Sequence, residues 1–130
     1  MHRLVRVILA LLLTSNVWAA DTDSLMLEGD VLVDSYFQAL KNGDTQTVKS
    51  IFGSNLLEKY QDLLDNSMYP QMLIDKYTDS GYSISSKQFL DNHLRYGIQL
   101  TVTGYVSNLF LIVGTESGRV VITSMEEFVD

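Results

Sequence analysis

Seven tyrosines, a single histidine beyond position 2, and two aspartate pairs at helical spacing are the side chains whose type or placement could support chemistry. Asp30 and Asp34 stand one helical turn apart, as do Asp62 and Asp65. Carboxylates so placed can share acid–base work or bind a divalent cation. Asp30 also suits the N-cap of a helix, and Asp62 and Asp65 suit a solvated helix face. Asp34 borders an apolar stripe and is the carboxylate best placed to look into a pocket. His93 could act as a general base or a metal ligand. It shares strand parity with Arg95 and Gln99, however, which assigns it to the solvent side. With no cysteine in the chain, a metal site would have to be completed by carboxylates alone. No Gly-rich phosphate loop and no Ser–His–Asp order is present. The sequence thus offers no catalytic residues, no metal ligands and no cofactor motif.

The tyrosines remain. A ring of them can line a pocket for an amphipathic ligand or build a protein interface. Tyr36, Tyr60 and Tyr77 fall at helix-stripe positions and read first as core. Tyr69, Tyr82 and Tyr105 lie near turns and suit an interface. Tyr96 is the one hydrogen-bond donor on the apolar face of its strand. Tyr36, Tyr96 and Asp34 are therefore the candidate pocket residues.

These groups need elements to position them. Val33, Tyr36, Phe37 and Leu40 recur at i, i+3, i+4 and i+7 and predict a helix from Asp30, as N-cap, to Lys41. Asn42-Gly43 stops it and Asp44 caps a second helix to Phe52. Asn55 and Glu58 have capping-box spacing and open a third, to about Asp65. Pro70 marks a break, and Gln71–Tyr77 supplies further helical turns. After Asp79-Ser80-Gly81 the period changes. Tyr82–Phe89 reads as a short edge strand. His93–Val106 alternates strictly, with Leu94, Tyr96, Ile98, Leu100 and Val102 on one face. A turn at Ser107-Asn108, a strand Leu109–Gly114, a loop at Glu116-Ser117-Gly118 and a strand Arg119–Met125 follow. Helices first and antiparallel strands after predict an α+β domain, its helices packed on one face of the sheet.

The first nineteen residues read differently. Arg3 and Arg6, the apolar run Val7–Leu13 and the small residues around Val17-Trp18-Ala19 have the layout of a secretory signal cleaved after Ala19. The run is shorter than the roughly 20 residues that span a bilayer. Residues 20–130 would then form one exported domain, periplasmic or else extracellular, that is not integral to the membrane. That part holds seven basic residues against sixteen acidic ones, a net charge near −9. Such a surface disfavours nucleic acid. Lacking disulfides, the domain must hold together by apolar packing, which is feasible at this size.

The order αααβββ, with Tyr36-Phe37-Gln38-Ala39-Leu40-Lys41-Asn42-Gly43-Asp44 leading into Val48, Ile51 and Phe52, resembles the nuclear-transport-factor-2-like (cystatin-like) superfamily. Leu56-Leu57-Glu58-Lys59-Tyr60, then Leu63-Leu64, Asn66, Tyr69-Pro70, Leu73 and Tyr77, is similar to its exported bacterial members. The resemblance implies helices laid across a strongly curved sheet to make a cone, often enclosing a pocket, and homodimers formed through the open sheet. With no base on the pocket face, the residues favour a non-catalytic binding or accessory module, acting on a small ligand or an envelope protein through the cone pocket or the outer sheet face. The alternative, which the resemblance implies, is an isomerase or lyase using a pocket tyrosine and a carboxylate.

Overall fold

The computed structural model describes residues 25–128; the expected leader lies outside them. Helix α1 is described over residues 25–42. It is followed by α2 (Thr45–Ile51), α3 (Ser54–Leu64) and α4 (Tyr69–Tyr77). Strands β1 (Gly81–Leu90), β2 (His93–Val102), β3 (Tyr105–Glu116) and β4 (Arg119–Phe128) form one antiparallel sheet in the order β1-β2-β3-β4. The sheet is curved and unclosed, with the helices packed on one face.

In α1 the expected stripe is buried, with Val33, Tyr36, Phe37 and Leu40 in the core. Each such side chain contributes on the order of 1.5–3 kcal/mol. The helix starts earlier than Asp30, because Leu25 and Gly29 continue the buried stripe upstream at intervals of four. Asp30 is therefore a helix-interior residue and not a cap. Asp44 does cap α2, accepting from the Thr47 backbone N–H at 3.1 Å. Helix α3 is capped from outside: Gly53 occupies the cap position without a side chain to offer. The Glu116 carboxylate, sixty-two residues away, accepts the Ser54 N–H at 3.0 and 3.1 Å. The Asn55–Glu58 box expected there is not the device used. Pro70 opens α4 instead of breaking it, since the first turn of a helix needs no N–H from that residue.

Three two-residue hairpins connect the strands, pairing Leu90 with His93, Val102 with Tyr105 and Glu116 with Arg119. Both central residues of each have positive φ: Asp91 and Asn92, Thr103 and Gly104, Ser117 and Gly118. This mirror-image turn matches the twist of the flanking strands. The turn expected at Ser107-Asn108 is thus moved to Thr103-Gly104, and Ser107 and Asn108 pair within β3 against Leu100 and Gln99. Strand β1 is ten residues long rather than short, though it is an edge strand as expected. Along β2, Leu94, Tyr96, Ile98 and Leu100 are buried under the helices, facing Leu109, Leu111 and Val113 of β3. Gln99 and Thr101 meet solvent on the opposite face. No helix among the described residues is long and apolar enough to cross a membrane.

A tyrosine-lined cavity under the helices

Between the helices and the end of the sheet lies a cavity of about 390 Å³. That is within the range of roughly 300–1,000 Å³ typical of small-molecule sites. Helix α1 contributes Tyr36, Phe37 and Leu40; α2 and its end contribute Val48 and Phe52. Lys59, Tyr60 and Leu64 come from α3, and Tyr69 and Tyr77 from the two ends of α4. The sheet closes it with Leu100, Leu109, Met125, Glu126 and Glu127. Each helix reaches this space through its apolar stripe. A tyrosine on such a stripe carries its hydroxyl past the packed ring into the space beyond.

Four tyrosine hydroxyls therefore belong to one cavity: those of Tyr36, Tyr60, Tyr69 and Tyr77. None of them is hydrogen-bonded to another described residue, and among the described residues no buried side-chain polar atom lacks a partner. Tyr36 is the most enclosed, at 9% exposure. Burial pushes its hydroxyl well above the ordinary tyrosine value, and Tyr77, Tyr69, Tyr60 and Glu127 add to the shift. Burial raises Tyr69 in the same direction, with Tyr77 and Tyr60 contributing. At neutral pH both are neutral phenols, able to donate and accept. The rings are arranged edge-on and tilted. Tyr36 and Phe37 meet at 5.2 Å and 63°, Tyr36 and Phe52 at 5.8 Å, and Phe52 and Tyr60 at 6.0 Å.

Of the three expected pocket residues, Tyr36 lines this cavity and Tyr96 and Asp34 do not. Both are engaged elsewhere, where α1 crosses the sheet. The Tyr96 hydroxyl donates to Asp30 Oδ1 at 2.7 Å, and Lys87 Nζ donates to the same oxygen at 2.9 Å. Partial burial acts to raise the Asp30 carboxyl, but the bonds from Lys87 and Tyr96 outweigh it and leave the group below its ordinary value. Burial and the bond to Asp30 push Tyr96 upward. One turn further along, Asp34 accepts from the Tyr82 hydroxyl at 2.8 Å. Burial and Asp34 push that hydroxyl up to about 12. The Asp30/Asp34 pair thus clamps α1 to β1 and β2 through two tyrosines and a lysine. The two carboxylates do not converge on a common space.

His93 sits at the β1–β2 turn, its Nδ1 3.2 Å from the Asp91 carbonyl oxygen and away from the cavity. Among the described residues no group of three or more His, Cys, Asp or Glu could hold a metal. Tyr60 and Tyr77, read as plain core, and Tyr69, read as an interface residue, are cavity residues instead. Tyr82 stacks on Phe37 at 4.4 Å, so it belongs to the helix–sheet contact. Tyr105 alone of the turn tyrosines is fully at the surface. Glu127 was missed because the last strand runs to Phe128, beyond the expected Met125.

No protein-family model matches the chain, and neither does any curated protein. Two solved structures do. One is an NTF2-like protein of unknown function from Silicibacter pomeroyi DSS-3, with a TM-score of 0.57 and 17% identity over 82% of this chain and 98% of its own. The other, an NTF2-like protein of unknown function from Shewanella baltica OS155, has a TM-score of 0.50 and 10% identity over 89% of this chain and 97% of its own.

Proposed function

We propose that this chain, whose fold is the nuclear-transport-factor-2-like fold, is a small-molecule binding module that works through its tyrosine-lined cavity. The observation that carries the reading is the cavity itself: aromatic walls with four phenol hydroxyls that no other described residue engages. A packed core would have turned those oxygens toward partners, because a buried polar group without one costs about 1–3 kcal/mol. Mostly apolar walls with a few convergent polar groups are what a ligand of mixed character needs.

Binding is favoured over catalysis by what the walls contain. Proton transfer needs a base within hydrogen-bond reach of the reacting atom. The enclosed ionisable groups are phenols raised well above neutrality, which are weak bases. Of the described carboxylates at its edge, Glu126 and Glu127 are both exposed, and only Glu127 shares the sheet face of the core residue Leu109. The leader-like first nineteen residues support a periplasmic setting for this binding.

The test is a native mass-spectrometry and thermal-shift screen with small aromatic compounds. It compares the native chain with Val48→Phe, which puts a ring into the cavity from its α2 wall. The expected result is saturable one-to-one binding to the native chain, weakened at least about tenfold by the added ring. Equal binding to both proteins, with Val48→Phe still folded by circular dichroism, would remove the cavity from consideration.

A further inference from the structure

The charges and rings around the cavity are unevenly distributed, and this bears on the class of ligand. An aromatic face is electron-rich and attracts cations within about 6 Å of its centroid. Tyr36, Phe52 and Tyr60 follow one another along the wall tilted at 37° and 45°, so they do not cover one another's faces as stacked rings would. Glu127 is paired with Leu109, a core residue of the helix-covered face of the sheet, and lines the same space, whereas the Glu126 side chain, paired with Phe110, alternates to the opposite face. Among the described lining residues the only cation is Lys59, and its Nζ lies 5.3 Å from the centroid of the Tyr60 ring. An ammonium group of the chain itself therefore rests against one of the cavity's tyrosines. The whole chain carries a net charge of −7, so its field attracts cations and repels anions.

We infer that the cavity takes an organic cation, with an apolar or aromatic body seated among Tyr36, Phe52 and Tyr60 and one ammonium-type group held between those rings and Glu127. This rests on the proposal that the cavity is a binding site. A cation gains from the ring faces, from the Glu127 carboxylate and from phenol oxygens able to accept N–H groups where it has them. An anion gains from Lys59 and the phenol O–H donors but must pass Glu127. A neutral molecule of the same shape gains only the apolar contact.

Three probes separate these cases: benzyltrimethylammonium, the uncharged neopentylbenzene of nearly the same shape, and the anion 3-phenylpropanoate. They are titrated into the full chain by calorimetry and followed by tyrosine fluorescence. The cation is expected to bind about tenfold more tightly than the neutral probe, with the difference shrinking as salt is added. Glu127→Gln should weaken the cation about threefold and leave the neutral probe unchanged, while Lys59→Gln should strengthen it by a similar factor. Both substitutions are at exposed positions and leave the core intact. Equal affinity for cation and neutral probe, tighter binding of the anion, or no effect of Glu127→Gln would overturn the inference and leave the cavity a binding site. Failure of all three probes, together with no difference between the native chain and Val48→Phe in the wider screen, would remove both.

Discussion

Replacing Tyr96 by Phe takes one oxygen atom out of the place where α1 crosses the sheet. The ring is wholly buried and stays. What is lost is the 2.7 Å bond to Asp30 Oδ1. A hydrogen bond to a charged group is worth about 1.5–3 kcal/mol when well enclosed. The Asp30 side chain is 53% exposed and keeps its bond from Lys87 at 2.9 Å. Water can therefore replace part of the loss, and the expected cost is nearer 1 kcal/mol. In a domain of this size that lowers the melting temperature by about 4–8 °C.

The same bond fixes the pH dependence. Asp30 lies below its ordinary value of 3.8 in the folded chain. Its stabilising effect is fully present above that value and is lost as pH falls through the lower, folded one. Urea unfolding of the native chain and Tyr96→Phe should thus give a gap of about 1 kcal/mol at neutral pH that narrows once pH falls below 3.8. The urea slopes should be equal, since the buried area is unchanged. Tyr82→Phe should cost less, because its bond to Asp34 is exposed whereas that of Tyr96 to Asp30 is partly buried. A Tyr96→Phe chain as stable as the native one, or a gap that stays constant into acid, would refute the clamp.

Three other positions test the frame. Gly43 has φ +63°, and a Cβ there would collide with the Pro70 carbonyl oxygen and lie 3.0 Å from the Ile74 side chain; Gly43→Ala should cost at least about 1–2 kcal/mol in urea unfolding. Glu116→Ala removes the cap of α3 and should cost about 1 kcal/mol, read from the shift of the unfolding midpoint, with Glu116→Gln recovering part of it. Thr103 has φ +47° in the β2–β3 turn, where a β-branched residue is strained; Thr103→Asn should raise the midpoint by about 0.5–1 kcal/mol, since Asn tolerates that conformation.

Element types were legible because one face of nearly every element is buried against one opposing layer. The 3-4 spacing in α1 and the two-residue alternation in β2 report that geometry directly. The boundaries were less legible where the decisive partner is remote in sequence. Glu116 and Ser54 are sixty-two residues apart, so a local capping box at Asn55 and Glu58 looked sufficient. Asp30 looked like a cap for the same reason. Its real partners, Lys87 and Tyr96, are brought to it only when the sheet folds under the helix. The choice between Thr103-Gly104 and Ser107-Asn108 depended on which pair could supply two positive φ values, and both compositions permit a turn.

The cavity was harder to read for a different reason. Periodicity reports which face of a helix is covered, and it assigns a tyrosine at a stripe position to the core whether its hydroxyl meets packing or empty space. Tyr36, Tyr60 and Tyr77 occupy stripe positions as Leu40 and Leu64 do, and the five line the same walls. What distinguishes the tyrosines is chemical cost. Leucine would fill a stripe without a polar atom to satisfy, so phenols on three separate helices, converging with Tyr69 on one volume, make sense only where their oxygens have something to meet. That argument needs the helices placed relative to one another before it can be made. A count of tyrosines on apolar stripes gives the first hint of it. Removing the oxygens in combination, as Tyr36→Phe with Tyr77→Phe, should therefore leave stability unchanged or raise it while lowering affinity for any ligand that hydrogen-bonds in the cavity. Loss of stability instead, measured by urea unfolding without ligand, would mean that those hydroxyls serve the fold.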